Sequence, residues 1–228
     1  MSAIKLRGVS VQLGEVQALR EISFELEART IAVVGENGSG KSTLARLIAG
    51  LIRASSGEVR ILGLDPVRQI AELRRRVAVV FSNPDAQIVM PTVAEDVAFS
   101  LRSERIPATT RAARVADALD RFGLTELTSR PSHDLSGGQK QLLALAGAFV
   151  RQPELIVADE PTAYLDARNA RAVANHLLAD TGHQLVLVTH DLALAQRCDV
   201  AVLITDGAIE IIGEPAMVAA KYEASIQE

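Results

Sequence analysis

The stretch TIAVVGENGSGKST, which begins at Thr30, limits the possible folds more than any other part of the chain. It opens with a short apolar run, which is typical of a strand buried on both faces of a parallel sheet. The glycines that follow predict a tight turn, and a helix is expected from Lys41 in KSTLARLIAGL. The sequence therefore predicts an α/β fold whose sheet is covered by helices.

Strand and helix patterns continue along the rest of the chain. Alternating polarity predicts strands at about 3–13 and 17–27, and GEVRIL and RVAVVF are expected to follow as strands. From 84 to about 131 helical patterns replace them, as in TVAEDVAFSLRSE and TTRAARVADALDRFG. The α/β pattern then resumes with a helix at 136–151, LIVAD, a helix at 166–179, QLVLVTH, a short helix, VAVLIT and AIEII.

These patterns predict how the domain is organised. Strands that alternate with helices indicate a mostly parallel sheet. We therefore expect one domain over 1–228, with its core formed by 1–83 and 132–228. The helical stretch 84–131 is expected to be a subdomain inserted into that core.

Composition excludes some classes of function. A net charge of −4 argues against bulk binding of nucleic acid, because there is no basic excess to neutralise phosphates. The single cysteine, Cys198, has no partner for an internal disulfide and fits a reducing cytosol. The N-terminal sequence lacks the apolar run of a signal peptide, and no stretch reaches the roughly 18 apolar residues of a membrane span. A membrane role is therefore expected to go through a partner.

The phosphate loop, GENGSGKST (35–43), has the spacing GxxxxGK[ST] directly between the predicted strand and helix. Its backbone N–H groups and the helix N-terminus suit a nucleotide phosphate, Lys41 suits the β- and γ-phosphates, and the Ser42 hydroxyl suits Mg²⁺. The alternative is a glycine-rich turn without a ligand, which the correct placement of both Lys41 and Ser42 disfavours. The expected nucleotide contacts are Gly35, Asn37, Gly38, Ser39, Gly40, Lys41, Ser42 and Thr43.

Polar residues follow two other predicted strands at the same expected edge of the sheet. LIVADEP delivers Asp159, which suits Mg²⁺ held through water, and Glu160, which suits activation of a water molecule. LVTHD delivers His190, for which a γ-phosphate contact is expected. The alternative for the acidic pair is a cap on the turn before Pro161. The other histidines, His133, His176 and His183, are interpreted as surface or capping residues.

The order GENGSGKST, LSGGQ, LIVADE, YLD and VTHD resembles the nucleotide-binding subunits of ABC transporters over nearly the whole chain. The resemblance implies a P-loop NTPase fold with an additional antiparallel β subdomain, and ATP hydrolysis with Mg²⁺. It also implies a head-to-tail dimer, in which each ATP lies between the phosphate loop of one subunit and the LSGGQ segment of the other. The residues implied for the partner's ATP are Ser136, Gly137, Gly138 and Gln139, and Leu165 and Asp166 are implied to cross the dimer interface.

A second segment, VVFSNPDAQIVMPTVAEDVAFSL, resembles the energy-coupling-factor (ECF) subgroup of this family. NPDAQIVMP and SGGQKQLLALAG are most similar to the biotin-uptake type, and the absence of a C-terminal extension fits that type. The resemblance implies an ATPase that energises a vitamin importer at the cytoplasmic face of the membrane. Its implied partners are a second ATPase subunit, in the simplest case an identical one, an integral membrane scaffold and a substrate-binding membrane subunit.

The same resemblance places the docking groove for the membrane partner beside Ser82 and Asn83. Pro84 and Asp85 are expected in this groove, together with the acidic pair Glu95–Asp96. That pair would suit arginines on the partner, and a solvated first helical turn is the alternative interpretation.

The chain departs from the family pattern at three places. Ser82 stands where the family has a glutamine that contacts Mg²⁺ and water, so slower hydrolysis or looser coupling is expected. Gln87 is not expected to take the place of that glutamine. Leu13 stands where an aromatic residue stacks on adenine, so GTP is expected to substitute for ATP. Ala163 and Tyr164 replace a Ser-Ala pair, which removes one hydrogen bond across the dimer.

Four alternatives remain open from the sequence. Cobalt or nickel ECF importers share most of these motifs, and conventional ABC transporters differ only in the segment 81–101. A soluble ABC ATPase of DNA repair or translation is disfavoured, because the chain lacks heptads and a second such domain. A non-hydrolysing ATP-binding regulator is favoured by Ser82 and Leu13 and disfavoured by Glu160.

Overall fold

The computed structural model describes residues 4–179 and 182–226. The strands are β1 (Ile4–Leu13), β2 (Val16–Leu26), β3 (Thr30–Val34), β4 (Ser56–Ile61), β5 (Val77–Phe81), β6 (Leu155–Asp159), β7 (Gln184–Val188), β8 (Val200–Thr205) and β9 (Ala208–Gly213). The helices are α1 (Lys41–Ile48), α2 (Ile70–Arg76), α3 (Val93–Ser100), α4 (Ala108–Arg121), α5 (Gly137–Phe149), α6 (Ala167–Leu178), α7 (Leu192–Ala195) and α8 (Pro215–Ile226). Among these helices, none has both the length and the apolar character that crossing a membrane requires.

The first of two structural units comprises the described residues of 1–77, 154–160 and 180–228. It contains an antiparallel sheet in the order β2-β1-β4 and strands of a second sheet in the order β6-β7-β3-β8-β9. In the second sheet β6, β7, β3 and β8 are parallel, and β9 pairs antiparallel with β8. Every residue of β3 and β6 is buried, as the apolar runs predict for central parallel strands.

The second unit comprises 78–153 and 161–179. It holds most of β5 and the helices α3 to α6, and the predicted helical segment 84–131 lies wholly within it. Its interior includes Phe122, whose ring centroid is 5.3 Å from that of Phe149 and 4.6 Å from that of His176. The α/β class with a mostly parallel sheet, an additional antiparallel sheet and packed helices is therefore confirmed.

Most predicted elements are present, with ends shifted by a few residues. The first strand begins at Ile4 within the described residues; residue 3 lies outside them. Two helices, α2 and α8, were not predicted. In α2 only Leu73 is buried, and in α8 the buried residues are Pro215, Val218 and Ala219, so neither sequence carries a strong amphipathic pattern.

Candidate functional site

The phosphate loop joins the end of β3 to the start of α1. Gly40 is the N-cap of α1 with φ 106°, and a Cβ there would lie 2.7 Å from the carbonyl oxygen of Ala18. Gly38, at φ 85°, has open space where a Cβ would be. Glycine is required at both positions for its left-handed backbone, and at Gly40 also for the close approach of β2.

Lys41 is buried although it carries a charge. Its Nζ donates hydrogen bonds to the carbonyl oxygens of Gly35 (2.8 Å) and Glu36 (2.6 Å). Burial lowers the pKa of Lys41, and the carboxylates of Glu160, Asp159 and Glu36 oppose this shift. A buried ammonium held by two carbonyl groups is suited to bind a phosphate, because the anion would replace neutral acceptors with a charged one.

Ser42 and Asp159 bring two oxygen ligands together. The Ser42 hydroxyl donates to Oδ1 of Asp159 over 3.0 Å, and Asp159 is buried at the end of β6. Magnesium is usually held by one or two protein oxygens, with phosphates and water completing its octahedron. The pair therefore fits Mg²⁺ held jointly with a nucleotide. Consistent with so few protein ligands, no cluster of three or more His, Cys, Asp or Glu suited to a metal occurs in the described ranges.

Glu160 and His190 form a hydrogen-bonded pair, with Nδ1 of His190 2.8 Å from Oε2 of Glu160. The register of the parallel strands explains the pairing, since Asp159 lies opposite Val188 and the next residues continue beyond the sheet. The backbone N–H of Glu160 donates to Val188, and Glu160 has φ 51°. A non-glycine residue in this left-handed conformation is strained, as is common at functional sites. The arrangement gives a carboxylate that could accept a proton from water and an imidazole that orients it.

A cavity of about 490 Å³ opens beside these residues in the first unit. Of the predicted nucleotide and catalytic residues, the cavity is lined by Asn37, Gly38, Gly40, Lys41, Ser42, Thr43 and Glu160. Leu13 is not among the lining residues; it is 44 % exposed and pairs across the β1–β2 hairpin with Val16, which does line the cavity. Gly35 lies beneath the loop against Ile204, and Ser39 is buried.

The sequence interpretation missed part of this cavity. The additional lining residues are Val16, Gln17, Ala18, Arg20, Asp206 and Gly207. The first four belong to β2, and the last two form the turn between β8 and β9. The alternating pattern of β2 predicts a strand, but it shows neither the register shift between Gln17 and Leu19 nor what this part of the strand meets.

The signature segment, LSGGQ (135–139), forms the start of α5 in the second unit. Ser136 is the N-cap: its Oγ accepts from the N–H of Gln139, and the side chain of Gln139 accepts from the N–H of Ser136 (2.9 Å). A Cβ on Gly137 would meet nothing, whereas one on Gly138 would collide with Asn169. The first N–H groups of a helix lack intrahelical acceptors and carry its positive dipole end. This end of α5 is therefore open to an anion on the side of Gly137.

Two further predicted positions also lie in the second unit. Asp166 caps α6, accepting from the backbone N–H of Asn169 (2.9 Å) and from its side-chain amide (2.7 Å), and the first of these bonds is the main cause of its lowered pKa. Ser82 follows β5, and Asn83 accepts from the N–H of Asp85. Gln87 is held by β5: it accepts from Phe81 N–H (2.8 Å) and donates to the Val79 carbonyl (2.9 Å).

Asp96 is buried, so both the partner contact and the solvated turn are wrong for this residue, whereas Glu95 is exposed in the first turn of α3. Glu95 completes a capping box with Thr92. Asp96 is buried and accepts from the N–H groups of Val89 and Met90. Both carboxylates therefore stabilise the start of α3 and the loop before it.

The interpretation of the other histidines as surface or capping residues is wrong for His183. His183 is buried, being 4 % exposed. His176 lies against Phe122, and burial together with the charge of Arg121 lowers its pKa. His133 is exposed, as expected, with its Nε2 3.4 Å from Asp134. An isolated histidine carries no periodic pattern, so the burial of His183 could not be predicted from the sequence.

Comparison with known protein families shows which family the chain belongs to. Residues 19–163 match the family described as ABC transporter. The chain is an ABC ATPase. The expected family, fold and enzyme class are thereby confirmed, and ATP is the nucleotide of the family.

Two curated relatives of this ABC ATPase extend over most of it. A "Putative ABC transporter ATP-binding protein" of Deinococcus radiodurans is 44% identical over 93% of this chain and 94% of its own length. The "Energy-coupling factor transporter ATP-binding protein EcfA1" of Lacticaseibacillus paracasei is 40% identical over 88% of this chain and 74% of its own. The chain is thus similar to proteins named for the ECF subgroup.

Solved structures agree with this assignment of the fold. CbiO1 of Clostridium perfringens, described as part of the ABC transporter complex CbiONQ, has a TM-score of 0.87 and 30% identity over 99% of this chain and 94% of its own. The ATP-binding cassette MJ0796, in a dimeric post-hydrolysis state bound to ADP and phosphate, has a TM-score of 0.81 and 27% identity over 93% and 98% of the two chains.

Proposed function

We propose that this ABC ATPase is the energising subunit of an ECF-type importer, acting as a head-to-tail dimer at the cytoplasmic face of the membrane. The observation that carries the proposal is 40% identity to EcfA1 over 88% of the chain. It is supported by the arrangement of Lys41, Ser42, Asp159, Glu160 and His190, which suits hydrolysis. The membrane scaffold and the substrate-binding subunit would be separate polypeptides.

The site residues would divide the work of phosphoryl transfer. Lys41 leaves the carbonyls of Gly35 and Glu36 to bind the β- and γ-phosphates, so that charged acceptors replace two neutral ones. Ser42 and Asp159 would hold Mg²⁺, which neutralises phosphate charge when bound. Glu160 accepts the proton of the attacking water, and His190 holds that carboxylate in place from 2.8 Å.

The chain carries two anion-binding ends, which supports the head-to-tail arrangement. The phosphate loop opens α1 in the first unit, and Ser136 with Gly137 opens α5 in the second. If each serves a different nucleotide, ATP joins two subunits and hydrolysis releases them. The dimeric neighbour bound to ADP and phosphate is consistent with this use of the fold.

Dimer formation can be tested with a variant that binds ATP without hydrolysing it. Glu160→Gln should elute as a dimer with Mg²⁺-ATP and as a monomer without it. Adding Ser136→Arg to that variant should abolish the dimer, whereas Ser103→Arg, at an exposed serine of the same unit, should not. A dimer that survives Ser136→Arg, or that forms without ATP, would exclude the head-to-tail arrangement.

We propose biotin as the substrate, on the similarity of NPDAQIVMP and SGGQKQLLALAG to the biotin-uptake type. The alternative is a cobalt or nickel ECF importer, which shares most of these motifs. Purification of the tagged protein from its own membranes in mild detergent tests both. Mass spectrometry should identify a small integral membrane scaffold, a second membrane subunit and released biotin. Recovery of a binding protein with large permeases, or of soluble partners alone, would overturn the ECF assignment.

A further inference from the structure

One wall of the nucleotide cavity comes from the start of β2. Val16, Gln17, Ala18 and Arg20 all line it, and a shift in the β1–β2 register between Gln17 and Leu19 interrupts the alternation of the strand there. Along the strand this wall changes from apolar at Val16 to cationic at Arg20. This wall shares no residue with the phosphate loop.

The order of the strands fixes which end of a nucleotide meets this wall. In the order β6-β7-β3-β8-β9, the phosphate loop follows β3, whereas Glu160 follows β6 and His190 follows β7, on one side of β3. Asp206 and Gly207 follow β8 on the opposite side. Because the parallel strands end at the same edge, the γ-phosphate belongs on the β6–β7 side and the nucleoside on the β8 side, where β2 lies.

Hydrogen bonds hold Arg20 at that second side. Its Nε donates to the carbonyl oxygen of Asp206 over 2.6 Å, Nη2 donates to the same oxygen, and its backbone N–H donates to Gly207 over 2.7 Å. Nη1 has no partner among the residues that the structure describes. An arginine whose guanidinium is anchored at one side retains a donor edge suited to a phosphate oxygen.

We infer that Arg20 is a nucleotide-binding residue that contacts the nucleoside end of the ligand, at the α-phosphate and ribose. The inference rests on the assignment of this cavity to ATP, and not on the nature of the membrane partner. Arg20 would act at the opposite end of the nucleotide from Lys41. It would also compensate for the missing aromatic contact at Leu13, because a charged hydrogen bond replaces affinity that base stacking would supply.

The competing explanation is that Arg20 only braces the phosphate loop. A route for this exists, since Arg20 N–H donates to Gly207 and Gly207 N–H donates to the carbonyl of Ser39 over 2.9 Å. The two explanations differ in one measurable respect. A brace would affect every ligand of the loop, whereas a contact at the nucleoside end would affect only ligands that possess that end.

Calorimetric binding of Mg²⁺-ADP and Mg²⁺-pyrophosphate to the full chain distinguishes the nucleotide contact from the brace. Arg20→Met should weaken ADP about tenfold and change pyrophosphate less than about twofold, because only ADP carries the nucleoside end. Arg20→Lys should retain most of the ADP affinity, and Arg7→Met, at an exposed arginine of β1, should leave both ligands unchanged. Equal losses for both ligands, or no loss for ADP, would overturn the inference. If purification finds no ECF partners while this pattern holds, only the proposed transporter type fails.

Discussion

The side-chain amide of Asn169 occupies the space that a Cβ atom on Gly138 would need. The amide nitrogen would lie 2.6 Å from that Cβ, and the same nitrogen donates to Asp166 over 2.7 Å. Gly138 is therefore fixed by packing between α5 and α6, while Gly137 faces open space. The two adjacent glycines of this motif therefore differ: packing requires glycine at Gly138, whereas packing does not require it at Gly137.

Replacing each of these glycines with alanine should change the stability of the protein differently. Gly138→Ala forces Asn169 to move and should destabilise the protein by about 1–3 kcal/mol. Gly137→Ala adds a helix-favouring residue in open space and should be neutral or stabilising by up to about 1 kcal/mol. Urea unfolding measures both.

The contact with Asn169 is tested by a double variant. In an Asn169→Ala background the obstruction is absent, so Gly138→Ala should cost less than about 0.5 kcal/mol. An unchanged cost in that background would show that the side chain of Asn169 is not the cause.

The core of the site was predictable because it follows buried parallel strands. Three buried strands end at Val34, Asp159 and Val188, at the same edge of the sheet. The polar residues at and after these ends must therefore lie close together. The β2 wall was not predictable, since Arg20 and Asp206 are 186 residues apart and no local pattern links them. The burial of Asp96 was missed for a similar reason: a capping turn and a buried carboxylate that accepts two loop N–H groups share the same local sequence.

Glu160 should be required for turnover and not for binding. Glu160→Gln keeps the shape of the side chain but removes the base, so kcat should fall by about 10²–10⁴-fold while the Kd for Mg²⁺-ATP stays within about threefold. Phosphate release and calorimetry measure the two quantities. Glu58→Gln, at an exposed carboxylate of β4, is the matched control and should change neither. Turnover that survives in Glu160→Gln would remove this residue from the catalytic role.

Ser82→Gln should raise the rate of ATP hydrolysis by between about twofold and tenfold, because a glutamine is long enough to help position Mg²⁺ or water. Gln87 is poorly placed to substitute, since leaving its position breaks hydrogen bonds to both Phe81 and Val79. Ser103→Gln serves as a control at an exposed loop position. If steady-state turnover is the same in the wild type and in Ser82→Gln, the serine does not limit hydrolysis.

Cys198 should be nearly inert in the folded protein. Burial raises the pKa of its thiol from 9.0 to about 11, so at pH 8 the thiolate fraction falls about hundredfold. A thiol whose pKa is raised by folding stabilises the protein below the unfolded pKa, and that contribution is lost as the pH rises from 9.0 towards about 11. Alkylation at pH 8 should therefore be at least about a hundredfold slower in native than in urea-unfolded protein. Cys198→Ala should lose less stability than the wild type between pH 9 and 11; equal losses would mean that other groups govern this pH range.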